Sequence, residues 1–128
     1  MVGPSRGDLK YYGKGHINLA GLQIDTLANR ARTVTLSDDR AILLVDPRSG
    51  ATKRIEAPNG ATLSSPAWSP SGEQLAFIAN FGGASHAYVA DVASGRAVQL
   101  AKAPLLATLV TTLAWTPDGK SLLTVFVP

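Results

Sequence analysis

Two residues that could act together in catalysis, a serine and a histidine, stand side by side in the segment GASHA at residues 83–87. The serine nucleophile of a hydrolase lies in a Gly-x-Ser-x-Gly turn between a strand and a helix. This segment ends in alanine, and the run AYVADV that follows has the alternation of a strand. Neighbouring residues of a strand point to opposite faces, so Ser85 and His86 are not expected to exchange a proton. We therefore predict no catalytic residue in this chain.

The other candidates for ligand chemistry are histidines, carboxylates and a glycine-flanked lysine. The chain has no cysteine, and His16 and His86 lie 70 residues apart without a carboxylate at ligand spacing, so no metal site is predicted. Asp38 and Asp39 fit a polar turn better than an acid–base pair. The glycines beside Lys14 lack the strand and the Ser/Thr of a phosphate-binding loop, so no cofactor is predicted.

The number and distribution of basic residues limit the kinds of partner that the chain is expected to bind. Arg30, Arg32 and Arg54 could attract an acidic peptide side chain, although solvated surface charge is the favoured interpretation. The 12 Lys and Arg residues exceed the 9 Asp and Glu residues only slightly and are spread along the chain, so no nucleic-acid partner is expected.

No membrane partner is expected either. The apolar stretch APLLATLVTTLAW (residues 103–115) is shorter than the about 20 residues of a spanning helix. The localisation stays open between a bacterial cytoplasm and, if a signal preceded this sequence, a periplasm or the exterior.

An internal repeat supplies the elements that would position such residues. PAWSPSGEQLAF aligns with LAWTPDGKSLLT, which places Trp68 and Trp115 47 residues apart. LLVDPRSGATKRI aligns with YVADVASGRAVQL at a spacing of 45 residues. Two phrases that recur at nearly the same period indicate a repeat. The residues that carry it are Trp68, Pro70, Gly72, Asp91, Gly95, Trp115, Pro117 and Gly119.

Each repeat unit is predicted to be a group of short strands. The Pro and Gly after each tryptophan fit a type I turn between two strands, and further turns at about 10-residue intervals give four strands in each period of about 45 residues. This pattern is typical of β-propeller blades. We predict an all-β fold: a β-propeller fragment of roughly two to three four-stranded antiparallel blades in an incomplete ring. The repeated tryptophans are expected to lie buried in the seams between blades.

The predicted organisation has four segments. Residues 1–18 are a leader, residues 19–60 hold a lead-in segment and the end of the first blade, residues 61–104 form the second blade, and residues 105–128 begin a third blade. A closed propeller needs about four or more blades, so the missing blades are expected as partners, in a longer polypeptide or in other subunits.

The sequences of the repeats resemble those of one propeller family. SSPAWSPSGEQLAFIA, AYVADVASGRAVQL and LAWTPDGKSLLTVFVP, in this order, resemble the N-terminal propeller of prolyl-oligopeptidase-type serine peptidases. LAGLQID (residues 19–25), followed by NRAR (residues 29–32), is most similar to the glutamyl endopeptidase branch of that family.

The resemblance implies a parent enzyme whose propeller gates the access of peptide substrates to a C-terminal α/β-hydrolase domain. That second domain would carry the Ser, His and Asp, and none of the three corresponds to a residue of this sequence. The segment would be non-catalytic by itself. A propeller scaffold of the TolB or WD type, which binds protein partners and has no hydrolase domain, is the alternative interpretation.

Overall fold

The computed structural model describes residues 15–32, 40–107 and 112–128, and in these ranges the chain forms strands and no helix. The strands form four sheets, and every strand pair within a sheet is antiparallel. The prediction of an all-β chain is confirmed. The strands are β1 (Ile17–Leu19), β2 (Leu22–Asp25), β3 (Arg30–Ala31), β4 (Ala41–Val45), β5 (Thr52–Glu56), β6 (Thr62–Trp68), β7 (Gln74–Asn80), β8 (Ser85–Asp91), β9 (Ala97–Gln99), β10 (Ala114–Trp115) and β11 (Leu122–Leu123).

Strands β6, β7, β8 and β9 lie side by side in chain order and form the central sheet. The turn from β6 to β7 is closed by the Gly72 N–H, which donates to the Ser69 carbonyl at 2.9 Å. Gly72 has a φ of 74°, a conformation that glycine adopts without the steric cost of a Cβ. The turn from β10 to β11 has the same form, with a bond of 2.8 Å from the Gly119 N–H to the Thr116 carbonyl.

Strand β7 is buried on both faces, which explains why its sequence QLAFIAN is almost continuously apolar. Leu75, Phe77 and Ala79 belong to one buried cluster, whereas Ala76 and Ile78 belong to another. Successive side chains of a strand point to opposite faces, so the central sheet has a separate core on each side. Each face of such a sheet must therefore be buried by another part of the structure.

The β4–β5 hairpin covers one face of the central sheet, and the residues after β9 cover the other. The first cover contributes Ile42, Leu44 and Ile55. The second contributes Leu105, Leu113, Trp115 and Leu122, which include side chains of the β10–β11 pair. Within the described residues each of these covering sheets has two strands, so the four-stranded unit that the repeat predicts is complete only in the central sheet.

Strands β1, β2 and β3 form a sheet of their own near the start of the described residues. The LAGLQID segment makes its β1–β2 hairpin, with Ala20 and Gly21 both at positive φ in the connecting turn. Such turns match the right-handed twist of paired strands. Strand β1 crosses the predicted boundary between residues 18 and 19. The sheet contacts the fourth segment, residues 105–128, through the Ala31 N–H, which donates to the Ala107 carbonyl at 3.1 Å.

The two repeated tryptophans have different environments. Trp115 is half-buried in the seam with the central sheet, where its Nε1–H donates to the Ala67 carbonyl at 3.0 Å. Trp68 is 53% exposed, so the expected burial of both indoles is wrong for Trp68. The position one repeat before Ala67 is Ala20, which lies in the β1–β2 turn and not in the first strand of a blade. Among the described residues, no strand one repeat earlier therefore receives the indole of Trp68 as β6 receives that of Trp115.

Candidate functional site

A chain of hydrogen bonds joins four polar side chains at the end of the central sheet that carries the β7–β8 loop. The Arg30 Nη1 donates to the Ser85 Oγ at 3.3 Å, and the Ser85 hydroxyl donates to the Asn80 Oδ1 at 2.8 Å. The Asn80 amide Nδ2 donates in turn to the Ser64 Oγ at 2.9 Å. We refer to Arg30, Ser64, Asn80 and Ser85 as the Arg30 network and to this end of the sheet as the loop end.

The strand register explains how Asn80 and Ser85 meet. They are the last residue of β7 and the first of β8, paired directly opposite one another. The four-residue loop between them is closed by the Phe81 N–H, which donates to the Ala84 carbonyl at 2.8 Å. A short loop thus fixes two polar side chains at a sheet end, and the fully buried Ser85 lies beneath it.

Ser64 lies beside an irregularity in the pairing of β6 with β7. The register of β6 against β7 shifts between Ser64 and Ala67, as in a β-bulge, and Ser65 has a φ of 54°. A positive φ is uncommon for residues other than glycine and is tolerated where the surrounding structure enforces it. The bulge leaves Ser64 exposed while its hydroxyl accepts from Asn80.

Arg30 reaches this end of the sheet from outside it. Strand β3 pairs in parallel with residue 107 through an isolated bridge at Arg30, which places its side chain against the β7–β8 loop. The Arg30 Nη1 also donates to the Phe81 carbonyl at 2.8 Å. Arg30 is only 9% exposed, as is Arg32, so the interpretation of these two arginines as solvated surface charge is wrong. Packing of the β1–β3 sheet onto the loop end buries Arg30.

The remaining arginine candidate behaves differently. Arg54 is exposed on β5 and its Nε pairs with the Glu56 carboxylate at 2.5 Å. An exposed ion pair between residues of one strand contributes little to stability. Arg54 thus resembles the solvated charge that the sequence predicts for all three arginines.

Ser85 and His86 take separate partners. The Ser85 hydroxyl donates to Asn80, while the His86 ring packs edge-on against Phe81 at 6.0 Å between ring centres. The His86 Nδ1 lies 3.3 Å from the Gln99 Nε2. A general base must lie within hydrogen-bond reach of its nucleophile, and these contacts direct the two side chains elsewhere.

The opposite end of the central sheet is built from the repeat turns. An open cleft of about 850 Å³ lies there, lined by side chains and backbone of residues 53, 70–74, 91–93, 118 and 119. The Lys53 Nζ donates to the carbonyls of Val92 and Ala93, which ties the β4–β5 hairpin to the β8–β9 turn. Of the repeat residues, Pro70, Gly72, Asp91 and Gly119 line this cleft.

The aspartates of these turns act as caps. Hydrogen bonds from the Ser94 hydroxyl and N–H lower the pKa of Asp91, and the Ser49 hydroxyl and the Arg48 N–H lower the pKa of Asp46 in the same way. The Thr116 hydroxyl, at 2.5 Å, and the Lys120 N–H lower the pKa of Asp118. All three carboxylates are engaged in local turns, and stabilisation of the charged form by these donors is the cause of each shift.

The remaining candidate features are metal ligands, membrane-spanning helices and the residues Lys14, Asp38 and Asp39. No group of three or more His, Cys, Asp or Glu residues able to hold a metal ion occurs in residues 15–32, 40–107 and 112–128. Across the same ranges no helix has the length and apolar character to cross a membrane. Asp38, Asp39 and Lys14 lie outside the described residues, as does most of the predicted leader.

Comparison with known proteins bears on the fold. No family model matches the chain, and no curated protein matches it. Among solved structures, the crystal structure of TolB from Acinetobacter baumannii is similar, with a TM-score of 0.50 and 23% sequence identity over 79% of this chain. TolB is a β-propeller protein.

The fold is that of a partial β-propeller. The match to TolB and the observed stack of antiparallel sheets together confirm the predicted fold class. The chain spans 22% of the length of that TolB chain. At this level of identity the similarity concerns the fold alone and does not extend to prolyl-oligopeptidase-type peptidases.

Sequence reasoning missed the Arg30 network. It favoured surface charge for Arg30, considered and rejected Ser85 as a nucleophile, and assigned nothing to Asn80 or Ser64. A weak signal was present, since Asn80 and Ser85 are polar residues at the two ends of the same loop, but nothing in the spacing connects them with an arginine 50 residues earlier.

Proposed function

We propose that this chain is a non-catalytic segment of a larger β-propeller protein and that it serves as a scaffold for binding a protein partner. The observation that carries the proposal is the stack of sheets itself. The central sheet is covered on both faces, whereas the covering sheets leave large apolar side chains exposed. These exposed residues are Leu43 and Val45 on β4, and Leu123, Val125 and Phe126 in the fourth segment.

Exposed apolar side chains at both ends of the stack support the expectation of further blades. Propeller blades bury their faces against neighbours, so apolar side chains exposed on the outer sheets of a stack are typical of surfaces that a further blade covers. We propose that additional blades, in the same polypeptide or in another subunit, cover Leu43 and Leu123 and their neighbours.

The loop end is the proposed recognition surface. Loops on a rigid scaffold carry recognition more often than the strands do, and the β7–β8 loop rests on the Arg30 network and on the β1–β3 sheet. A loop held in this manner loses little conformational freedom when a partner binds.

A second candidate is favoured by the sequence. The order of the repeat phrases and the LAGLQID segment resemble the propeller of glutamyl endopeptidase-like serine peptidases. In that case the segment would gate peptide access, and its partners would be a peptide substrate and a C-terminal hydrolase domain. The catalytic Ser, His and Asp would then lie outside these 128 residues.

A fluorophosphonate probe separates the two candidates. The natural polypeptide that contains this sequence is incubated with the probe, and turnover of chromogenic Glu- and Pro-linked peptides is measured in parallel. A scaffold gives neither labelling nor turnover. Labelling that requires the folded state, together with turnover, would establish the peptidase. Labelling of Ser85 within the 128-residue chain, lost in Ser85→Ala, would contradict both candidates.

Site-specific cross-linking tests the recognition surface. A photo-reactive phenylalanine analogue replaces Gly82 in the β7–β8 loop, and a matched variant carries it at Ser71 in the turn at the opposite end of the sheet. We expect covalent adducts with a partner protein from position 82 and few or none from position 71. Adducts from position 71 alone would place recognition at the opposite end.

A further inference from the structure

We infer that the Arg30 guanidinium forms a binding site for a carboxylate group of a peptide ligand at the loop end. The inference starts from the burial of Arg30, which is 9% exposed, and from the small number of its partners. Its hydrogen bonds to the rest of the described chain are both made by Nη1, to the Phe81 carbonyl and the Ser85 hydroxyl. The Nε and Nη2 groups bond to no atom of the described residues.

These two nitrogens are open to a ligand. Within the part of the chain that the structure describes, some buried polar side-chain atoms form no hydrogen bond, such as the Thr124 Oγ1. The Arg30 Nε and Nη2 are not among them, so they keep contact with solvent even though most of the side chain is buried. Together they form the edge of the guanidinium that binds a carboxylate through two parallel hydrogen bonds.

The charge of Arg30 has no ion-pair partner among the described residues. Asp25 lies opposite Arg30 in the β2–β3 register, but its Oδ1 accepts from the N–H groups of Leu27 and Ala28 at 3.1 Å. Removal of a charge from water is costly unless an opposite charge or several hydrogen bonds compensate for it. Two neutral acceptors on Nη1 leave most of the donor capacity of the guanidinium unused.

The network fixes the geometry of the site. The Ser85 hydroxyl accepts from the Arg30 Nη1 and donates to the Asn80 Oδ1. These two bonds hold Nη1 in one position and so set the orientation of the guanidinium plane. The end of the network adds a donor, because the exposed Ser64 accepts from Asn80 and its own hydroxyl proton is directed to no atom of the described residues. A site of this kind presents N–H and O–H donors, and a carboxylate is a ligand that only accepts.

The carboxylate can come from an acidic side chain or from a peptide C-terminus, and three blocked amino acids distinguish the sources. N-acetyl-aspartate α-amide carries a side-chain carboxylate, N-acetyl-asparagine carries a terminal carboxylate, and N-acetyl-asparagine α-amide is neutral. Each is titrated into the isotope-labelled full chain while the NMR signals of the Arg30 Nε–H and the Ser85 amide are followed.

We expect saturable shifts of both signals with one or both charged compounds and none with the neutral compound. Arg30→Lys keeps the charge but loses the planar fork, and we expect it to weaken binding by about tenfold. Arg30→Gln should abolish binding. Arg54→Gln removes an exposed arginine at equal cost in net charge and should leave binding unchanged.

Several outcomes would overturn the site. They are the absence of a shift with both charged compounds, an equal shift with the neutral compound, or an equal loss in Arg54→Gln. A guanidinium already neutralised by a carboxylate of the chain would ignore all three compounds and so give the first outcome. The wild-type titration needs no variant, so a folding defect in Arg30→Gln does not remove the test.

Discussion

The indole of Trp115 and the backbone of Ala67 meet across the seam between the fourth segment and the central sheet, where the Trp115 Nε1–H donates to the Ala67 carbonyl at 3.0 Å. Trp115→Phe keeps an aromatic ring but removes this donor and leaves a carbonyl without its partner. We expect a loss of about 1 kcal/mol in the free energy of unfolding, measured by urea denaturation. The matched variant is Trp68→Phe, at the equivalent repeat position, which is exposed and should change stability by less than about 0.5 kcal/mol. Equal losses at the two positions would contradict the assignment of the seam.

The Ser85 hydroxyl links Arg30 to Asn80, so removal of this one oxygen atom should lower the free energy of unfolding substantially. Ser85→Ala leaves the buried Arg30 donor and the half-buried Asn80 acceptor each short of one partner. We expect destabilisation by about 1–3 kcal/mol in the same denaturation experiment. Ser64→Ala, at the exposed end of the network, is the control and should cost less than about 0.5 kcal/mol, because water replaces the lost hydroxyl. A smaller loss for Ser85→Ala than for Ser64→Ala would show that the network does not stabilise the loop end.

Acid should weaken the fold through the turn aspartates. Folding lowers the pKa of Asp91 from its ordinary value of 3.8, mainly through the Ser94 hydroxyl, so the stabilisation is present above that value and is lost as the pH falls through the lower folded-state pKa. Asp46 and Asp118 act in the same direction. We expect the midpoint of thermal unfolding to fall on acidification below about pH 4.

A variant of Asp91 tests the origin of this acid sensitivity. Asp91→Asn keeps an oxygen that accepts from Ser94 but does not titrate, so the acid-induced fall of the midpoint should be smaller than in the wild type. Ser94→Ala removes the main cause of the lowered pKa and should act in the same direction. An unchanged pH profile in both variants would assign the acid sensitivity to other carboxylates.

The free edge of the central sheet should promote self-association of the isolated chain. Strand β9 is one of the two edge strands of this sheet, and its Val98 is 60% exposed. An unpaired edge with apolar side chains invites pairing with another chain, and lysine on the edge suppresses it. We expect oligomers whose size increases with concentration in size-exclusion chromatography with light scattering, and a larger monomer fraction for Val98→Lys. Ser71→Lys adds the same charge in a turn and should have no such effect. A monodisperse, fully folded monomer at all concentrations would contradict the expectation of missing neighbours.

Local sequence signals determined much of the fold because they act over short distances. The Pro and Gly that follow each tryptophan specify the turns at Ser69–Gly72 and Thr116–Gly119, and the alternation of AYVADV indicates strand β8. The recurrence of these signals at a nearly constant period was sufficient to predict an all-β fold of propeller type. Each signal depends on residues that are neighbours in the chain.

Only the tertiary structure decided the environment of Arg30 and of the two tryptophans. The burial of Arg30 results from the contact of β3 with residue 107 and with the β7–β8 loop, which joins residues 51 to 77 positions apart. Trp68 and Trp115 occur in the same local phrase, yet one indole has a partner strand and the other is exposed. The type and spacing of residues set turns and strand periodicity, but burial depends on which distant segment packs on each side chain, and no local pattern records that.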